Sequence, residues 1–279
     1  MLLNYLTCKC KEIKMTGHQD DLAKSNKKSV IAVSGKGGTG KTVISTIIIK
    51  HLKKRDMKIL AIDADPATSL PPALGVSIKK TIGDIRETLV KGPGRGPTSD
   101  VPVDLMLEYQ IRDILAEIPK ISILAIGRPE GPGCYCLVND ILRHAIEKFS
   151  GYYDVTIIDC EAGLEHLSRR TTRSVDTMII VTDATQRGIN TARLIKELAE
   201  SLEISFDKIC VILNRASEEQ ARVFSESASK YGIELAGIVP YDQNITEYDL
   251  AGKPLIDLPD DSPAIIAVGQ ILHKLEILV

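Results

Sequence analysis

The stretch GKGGTGKT, Gly35 to Thr42, fits the pattern G-x-x-x-x-G-K-[ST]. Glycines let the backbone wrap a phosphate with its N–H groups. A helix start behind them adds positive dipole, Lys41 reaches the outer phosphates, and Thr42 can ligate Mg²⁺. The chemistry implied is binding of a nucleoside triphosphate. Two acidic segments could serve it: AIDADPAT, with Asp63 and Asp65, and IIDCEAG, with Asp159. Each ends an apolar run, so its carboxylates are expected at the ligand-binding edge of a sheet, although strand-end carboxylates also cap helices and form turns. A third stretch, EGPGCYCLVND, puts Cys134 and Cys136 two apart after a Gly-Pro-Gly turn. Two thiolates are half of a tetrahedral metal site, and nothing nearby supplies the other half.

These residues need strands and helices to hold them. Apolar runs of strand length recur from residue 29: SVIAVSG (29–35), KILAID (58–63), ISILAIG (121–127), DVTIID (154–159), TMIIVT (177–182), KICVIL (208–213) and LAGIVP (235–240). They lack polar alternation, as strands buried on both faces of a parallel sheet do. Helical patterns lie between them near 41–54, 81–90, 138–149, 187–204 and 217–231. The last starts at Ser217 with Gln220 three residues on, a capping-box signature. A C-terminal helix is expected over Pro263–Leu275, capped by Ser262, with Ile265, Ile266, Val268, Ile271, Leu272 and Leu275 forming most of an apolar face. KGPGRGPTSD (91–100) reads as a loop. The expectation is an α/β fold, a single doubly wound, mainly parallel sheet flanked by helices over 28–279. Residues 1–27, polar and Lys-rich after the first few, read as a flexible N-terminal extension.

Composition narrows the function classes. Hydrophobic residues at 44% and charged ones at 26% are ordinary for a globular chain. A formal net charge of −2 gives no global field for nucleic acid, which is not expected as a partner. No apolar run reaches the roughly 20 residues of a membrane span, and lysines follow the short apolar start with no cationic region before it. The chain is therefore expected to be cytoplasmic, without a membrane partner. Its six cysteines are then more in keeping with metal or redox chemistry than with disulfides. Cys160 and Cys210 lie in apolar runs and read as buried packing. Cys8 and Cys10 form a second Cys-x-Cys in the extension, either incidental or an accessory metal site.

The phosphate loop carries a second lysine, Lys36. The sequence K-G-G-T-G-K-T resembles the deviant phosphate loop of the MinD/ParA/nitrogenase iron-protein superfamily. That resemblance implies a homodimer in which Lys36 crosses to the partner copy's phosphates. It further implies that Asp65 is the switch aspartate that positions the attacking water and that Asp159 holds Mg²⁺ together with Thr42. The ATP/ADP site is then Gly35, Lys36, Gly37, Gly38, Thr39, Gly40, Lys41 and Thr42 with Thr46, and Asn214 and Arg215 on the adenine side. Catalysis rests on Lys36, Lys41 and Asp65. A turn role for Asn214 fits the sequence nearly as well.

A narrower resemblance rests on IIDCEAGLEHLSRRTTRSVD and GPGCYC. The E-A-G-x-E-H-L core, Glu161 to Leu167, and the Cys-x-Cys are similar to the CooC-type maturation ATPases of nickel carbon monoxide dehydrogenase and acetyl-CoA synthase. Leu137 stands where that family often has proline. The likeness spans about residues 29–276. It implies nickel as cargo and one of those enzymes as client. On geometry alone, four thiolates from Cys134 and Cys136 of two chains, brought together on a dimer axis, suit Zn²⁺ or an iron–sulfur cluster at least as well as nickel. His166 could be a ligand or a switch hydrogen-bonding group; Arg169, Arg170 and Arg173 could dock an acidic client or form a solvated face. Two other function classes stay open: a MinD/ParA-like positioning ATPase, and an iron–sulfur electron donor resembling the nitrogenase iron protein.

Overall fold

Val30, Ile31, Ala32 and Val33 form a β-branched and small apolar run whose side chains point alternately to opposite faces, and both faces are covered. The structure, a computed structural model, describes residues 28–91, 103–128, 136–162, 174–201 and 205–278. In it β1 (Ser29–Gly35), β2 (Ile59–Ala64), β4 (Ile121–Ala125), β5 (Val155–Ala162), β6 (Ser174–Thr182), β7 (Ser205–Asn214) and β8 (Leu235–Val239) are parallel neighbours in one eight-stranded sheet. The eighth, β3 (Ala116–Ile118), is a short antiparallel edge strand on β4 that the sequence pattern does not announce. The order is β3-β4-β2-β5-β1-β6-β7-β8.

One face of the sheet packs on α1 (Lys41–Lys54) and α9 (Pro263–Lys274), with Ile44, Ile47, Ile48, Leu52, Val268 and Leu272 fully buried. Each such side chain contributes about 1.5–3 kcal/mol. The opposite face is covered by α3 (Ile82–Lys91), α4 (Val103–Ile114), α5 (Cys136–Phe149), α6 (Gln186–Ser201) and α7 (Glu218–Ala228). Two short helices complete the order: α2 (Leu70–Ala73) and α8 (Gln243–Leu250). Where α1 crosses α9, Gly269 leaves room for the His51 ring, whose Nε2 lies 2.8 Å from the Ile265 carbonyl. Burial there pulls the His51 pKa below its ordinary value.

Several expectations need correction. The strand holding Asp159 runs on to Ala162 and is fifth in chain order, because β3 precedes it. Region 217–231 splits into α7 and a 3-10 turn, Ser229–Tyr231; the Ser217–Gln220 capping box is formed. Ser262 does not cap α9 with its side chain. Its hydroxyl donates to Asp242, and Asp242 Oδ2 itself accepts the Ala264 N–H at 2.9 Å. A carboxylate offers a stronger acceptor to the helix N-terminus than a hydroxyl does. On the α9 face Ile266 is the exception, 49% exposed. Residues 1–27 with Cys8 and Cys10, Cys134, residues 92–100, and residues 163–173 with His166, Arg169, Arg170 and Arg173 lie outside the described residues.

Candidate nucleotide site

Three neighbouring strands, β2-β5-β1, deliver the phosphate loop and the strand-end carboxylates to one edge of the sheet, and β4, beside β2, ends at the same edge. The phosphate loop follows β1, Asp63 and Asp65 close β2, Asp159 sits near the end of β5, and β4 leads towards Cys134 and Cys136. Parallel register brings Asp63 opposite Asp159 and Ala125 opposite Asp63. Adjacent strands lie about 4.8 Å apart, so the whole row spans roughly 15 Å.

Gly35 ends β1 with φ 147°, and a Cβ there would collide with the Val181 carbonyl oxygen. Only glycine lets the chain turn off the sheet at that point. Thr39 then closes the loop, its N–H and Oγ1 both donating to the Lys36 carbonyl at 3.4 and 2.8 Å. Lys41 is buried and folded back, with Nζ donating to the same carbonyl at 3.3 Å. Lys36, Gly37 and Gly38 are exposed. Gly40 serves as N-cap of α1 in the left-handed region, φ 89°, without a side-chain cap, and no acidic residue lies in the first turn. The helix N-terminus is thus left electropositive, with N–H groups available to an anion.

Thr42 is the junction of the site. Its Oγ1 donates to Asp159 Oδ2 at 2.7 Å and lies 3.1 Å from Ser69 Oγ. Ser45, one turn along α1, donates to Asp159 Oδ1 at 2.9 Å. Burial raises the Asp159 pKa to about 6, against the lowering effects of these hydroxyls and of Lys41. Asp63 is fully buried; its oxygens accept the Asp65 and Leu70 N–H groups at 3.0 and 2.8 Å, and burial raises its pKa to about 7. It therefore shapes the Asp65–Ser69 loop and does not face solvent as a ligand. Asp65, half-buried, accepts the Ala67 N–H at 2.8 Å. The Thr46 hydroxyl turns back onto the Thr42 carbonyl at 2.8 Å, fully buried. Asn214 reaches the loop, its Nδ2 donating to the Thr39 carbonyl at 2.8 Å, and Arg215 follows with φ 55°.

Ser45 and Ser69 are site residues that the sequence motifs do not single out. Ser45 lies at helical spacing from Thr42, which is the one local signal; Ser69 is placed by the loop that Asp63 organises. The oxygen donors gathered at Thr42, Asp159 and Ser69 suit a hard divalent cation such as Mg²⁺. Cys136 opens α5, while Cys160 and Cys210 are buried in strands, their thiol pKa values pushed up by burial, that of Cys210 to about 12. Among the described residues no helix is long and apolar enough to cross a membrane.

The family model of the CobQ/CobB/MinD/ParA nucleotide binding domain matches residues 30–255. The uncharacterized ATP-binding protein MJ0685 of Methanocaldococcus jannaschii is 46% identical over 250 residues, 88% of this chain and 98% of its own. The carbon monoxide dehydrogenase accessory protein CooC of Rhodospirillum rubrum is 33% identical over 248 residues, 84% of this chain and 90% of its own. Among solved structures, the septum site-determining protein MinD of Pyrococcus horikoshii, complexed with Mg-ADP, superposes with a TM-score of 0.65 at 22% identity. It covers 90% of this chain and 96% of its own, a likeness of fold. With the phosphate loop, the strand-end carboxylates and the sheet order in place, the chain belongs to the CobQ/CobB/MinD/ParA nucleotide-binding family.

Proposed function

We propose that this protein is an ATP-hydrolysing metallochaperone that holds nickel between two copies of the chain and inserts it into carbon monoxide dehydrogenase or acetyl-CoA synthase. The observation that carries the reading is the strand order. β4, which leads to the Cys-x-Cys, is hydrogen-bonded to β2, which ends in the Asp63–Ser69 loop. The Ile126 N–H donates to the Asp63 carbonyl at 2.8 Å, so a shift of that loop acts directly on the segment that leaves β4. The similarity to the Rhodospirillum rubrum accessory protein supports the same direction.

In this reading Lys41 and the α1 N-terminus hold the phosphates, and Lys36, exposed at the loop tip, reaches those of the partner copy. Asp65 orients the attacking water. Mg²⁺ held by Thr42 and Asp159 would neutralise charge on the phosphoryl oxygens. Asn214 and Arg215 lie on the side where adenine is expected. Cys134 and Cys136 of each copy supply thiolates to the nickel cargo, and Zn²⁺ competes for the same donors.

Nucleotide can drive release only if the two dimer states differ in metal affinity. Equilibrium dialysis against nickel should therefore show at least a tenfold difference in retention between the ADP-bound and ATP-bound protein, abolished by Cys134→Ala. Equal retention in both states would remove the coupling from the account.

A further inference from the structure

Asn214 ends β7, and β6 lies between β7 and the strand that feeds the phosphate loop. It nonetheless touches that loop. The residue is only 7% exposed, and Nδ2 donates to the Thr39 carbonyl at 2.8 Å. The opposite side of the amide is fixed too, since Oδ1 accepts the Arg215 N–H at 3.1 Å, from a residue with φ 55°. The carboxamide also occupies the space beside Gly40 that a Cβ would need. Gly40 is the left-handed N-cap from which Lys41 and Thr42 are presented, and no side chain caps the helix there.

We propose that Asn214 is a positioning residue for the phosphate loop: its amide pins the Thr39–Gly40 turn from across β6 and so sets where Lys41 and Thr42 point. The proposal rests on the nucleotide reading and adds to it. The expected adenine contact of Asn214 concerns the base; this role concerns the phosphates and exists without any base. The two are compatible, because a carboxamide carries two N–H donors and the Thr39 carbonyl takes one.

Replacing the amide by a carboxylate of the same size sets an oxygen against the Thr39 carbonyl oxygen. Truncating it leaves that carbonyl without its partner. In either case the loop loses its anchor while Asp159, Thr42 and Ser45 keep their mutual hydrogen bonds.

The test is amide hydrogen exchange of the full chain without nucleotide, for wild type, Asn214→Ala and Asn214→Asp. ATP and tripolyphosphate binding are measured on the same samples. Exchange over residues 36–42 should quicken by about tenfold in Asn214→Ala and further in Asn214→Asp, with peptides from β5 and α9 unchanged. Both ligands should weaken, tripolyphosphate included, although it has no base. Unchanged loop exchange with loss of ATP affinity alone would assign Asn214 to the base and overturn the positioning role. Wild-type protein that binds neither ligand, yet shows loop exchange quickened in both variants, would keep the anchor and reject the nucleotide reading.

Discussion

Asp63 and Asp159 stand opposite each other in the β2–β5 ladder, 0% and 1% exposed, at the sheet edge that carries the phosphate loop. Burial raises both carboxyls, to about 7 and about 6. Between an ordinary carboxylate pKa near 4 and about 7, the folded chain therefore holds protons that the unfolded chain has lost. Stability from these groups is complete at the acid end of that window and declines as pH rises through it. Asp63→Asn should flatten the fall in melting temperature from pH 4.5 to 7.5, removing on the order of 2 kcal/mol of the pH-dependent part. The comparison is one of slopes, since the variant's carboxamide offers a single acceptor oxygen where Asp63 takes two N–H groups. Parallel wild-type and variant profiles would contradict it. In the proposed role Asp159 holds Mg²⁺ as a carboxylate, so Mg²⁺ affinity should rise with pH through about 6.

Lys36 is exposed at the loop tip, and its ammonium has no hydrogen-bond or ion-pair partner among the described residues. Lys36→Ala should leave melting temperature and ATP binding by the single chain nearly unchanged. It should lower ATP turnover by about 10³-fold, the scale of a cation supplied in trans. Wild-type turnover in the variant would place the lysine outside the reaction.

Asp242 caps two helices at once. It accepts the Asn244 N–H at 3.0 Å at the start of α8 and the Ala264 N–H at 2.9 Å at the start of α9, with the Ser262 hydroxyl donating as well. Asp242→Ala should cost about 2–4 kcal/mol in chemical denaturation, more than a single lost cap. Ser262→Ala should cost less, about 1–2 kcal/mol, having lost two hydrogen bonds, the one it donates to Asp242 and the one it accepts from Asn244 Nδ2. Equal effects would mean that the serine is the cap after all.

How legible this molecule is in its sequence follows from where its information sits. β1 and α1 are legible at their observed bounds, because a run buried on both faces and a phosphate-loop pattern are local signals. α2 carries Pro71 and Pro72 in four residues, and β3 has three, too few for any period to register. α4 follows a Gly/Pro-rich stretch that masks it, although Ile111 and Ile114 bury its inner face. Asp242 capping α9 and Asn214 reaching Thr39 join residues far apart in sequence, so neither has a local signature. Asp63 and Asp65 are legible as a pair, but which one turns inward is decided by the N–H groups of Asp65 and Leu70.

The central claim is a metal site shared between two chains. It is tested most directly by nickel and zinc content per chain alongside solution mass, with and without ATP, for wild type and Cys134→Ala. The account predicts one metal ion per two chains in a dimer, lost in the variant while ATP binding stays. Tight ATP-driven dimers carrying no metal, or metal content unchanged by Cys134→Ala, would contradict it.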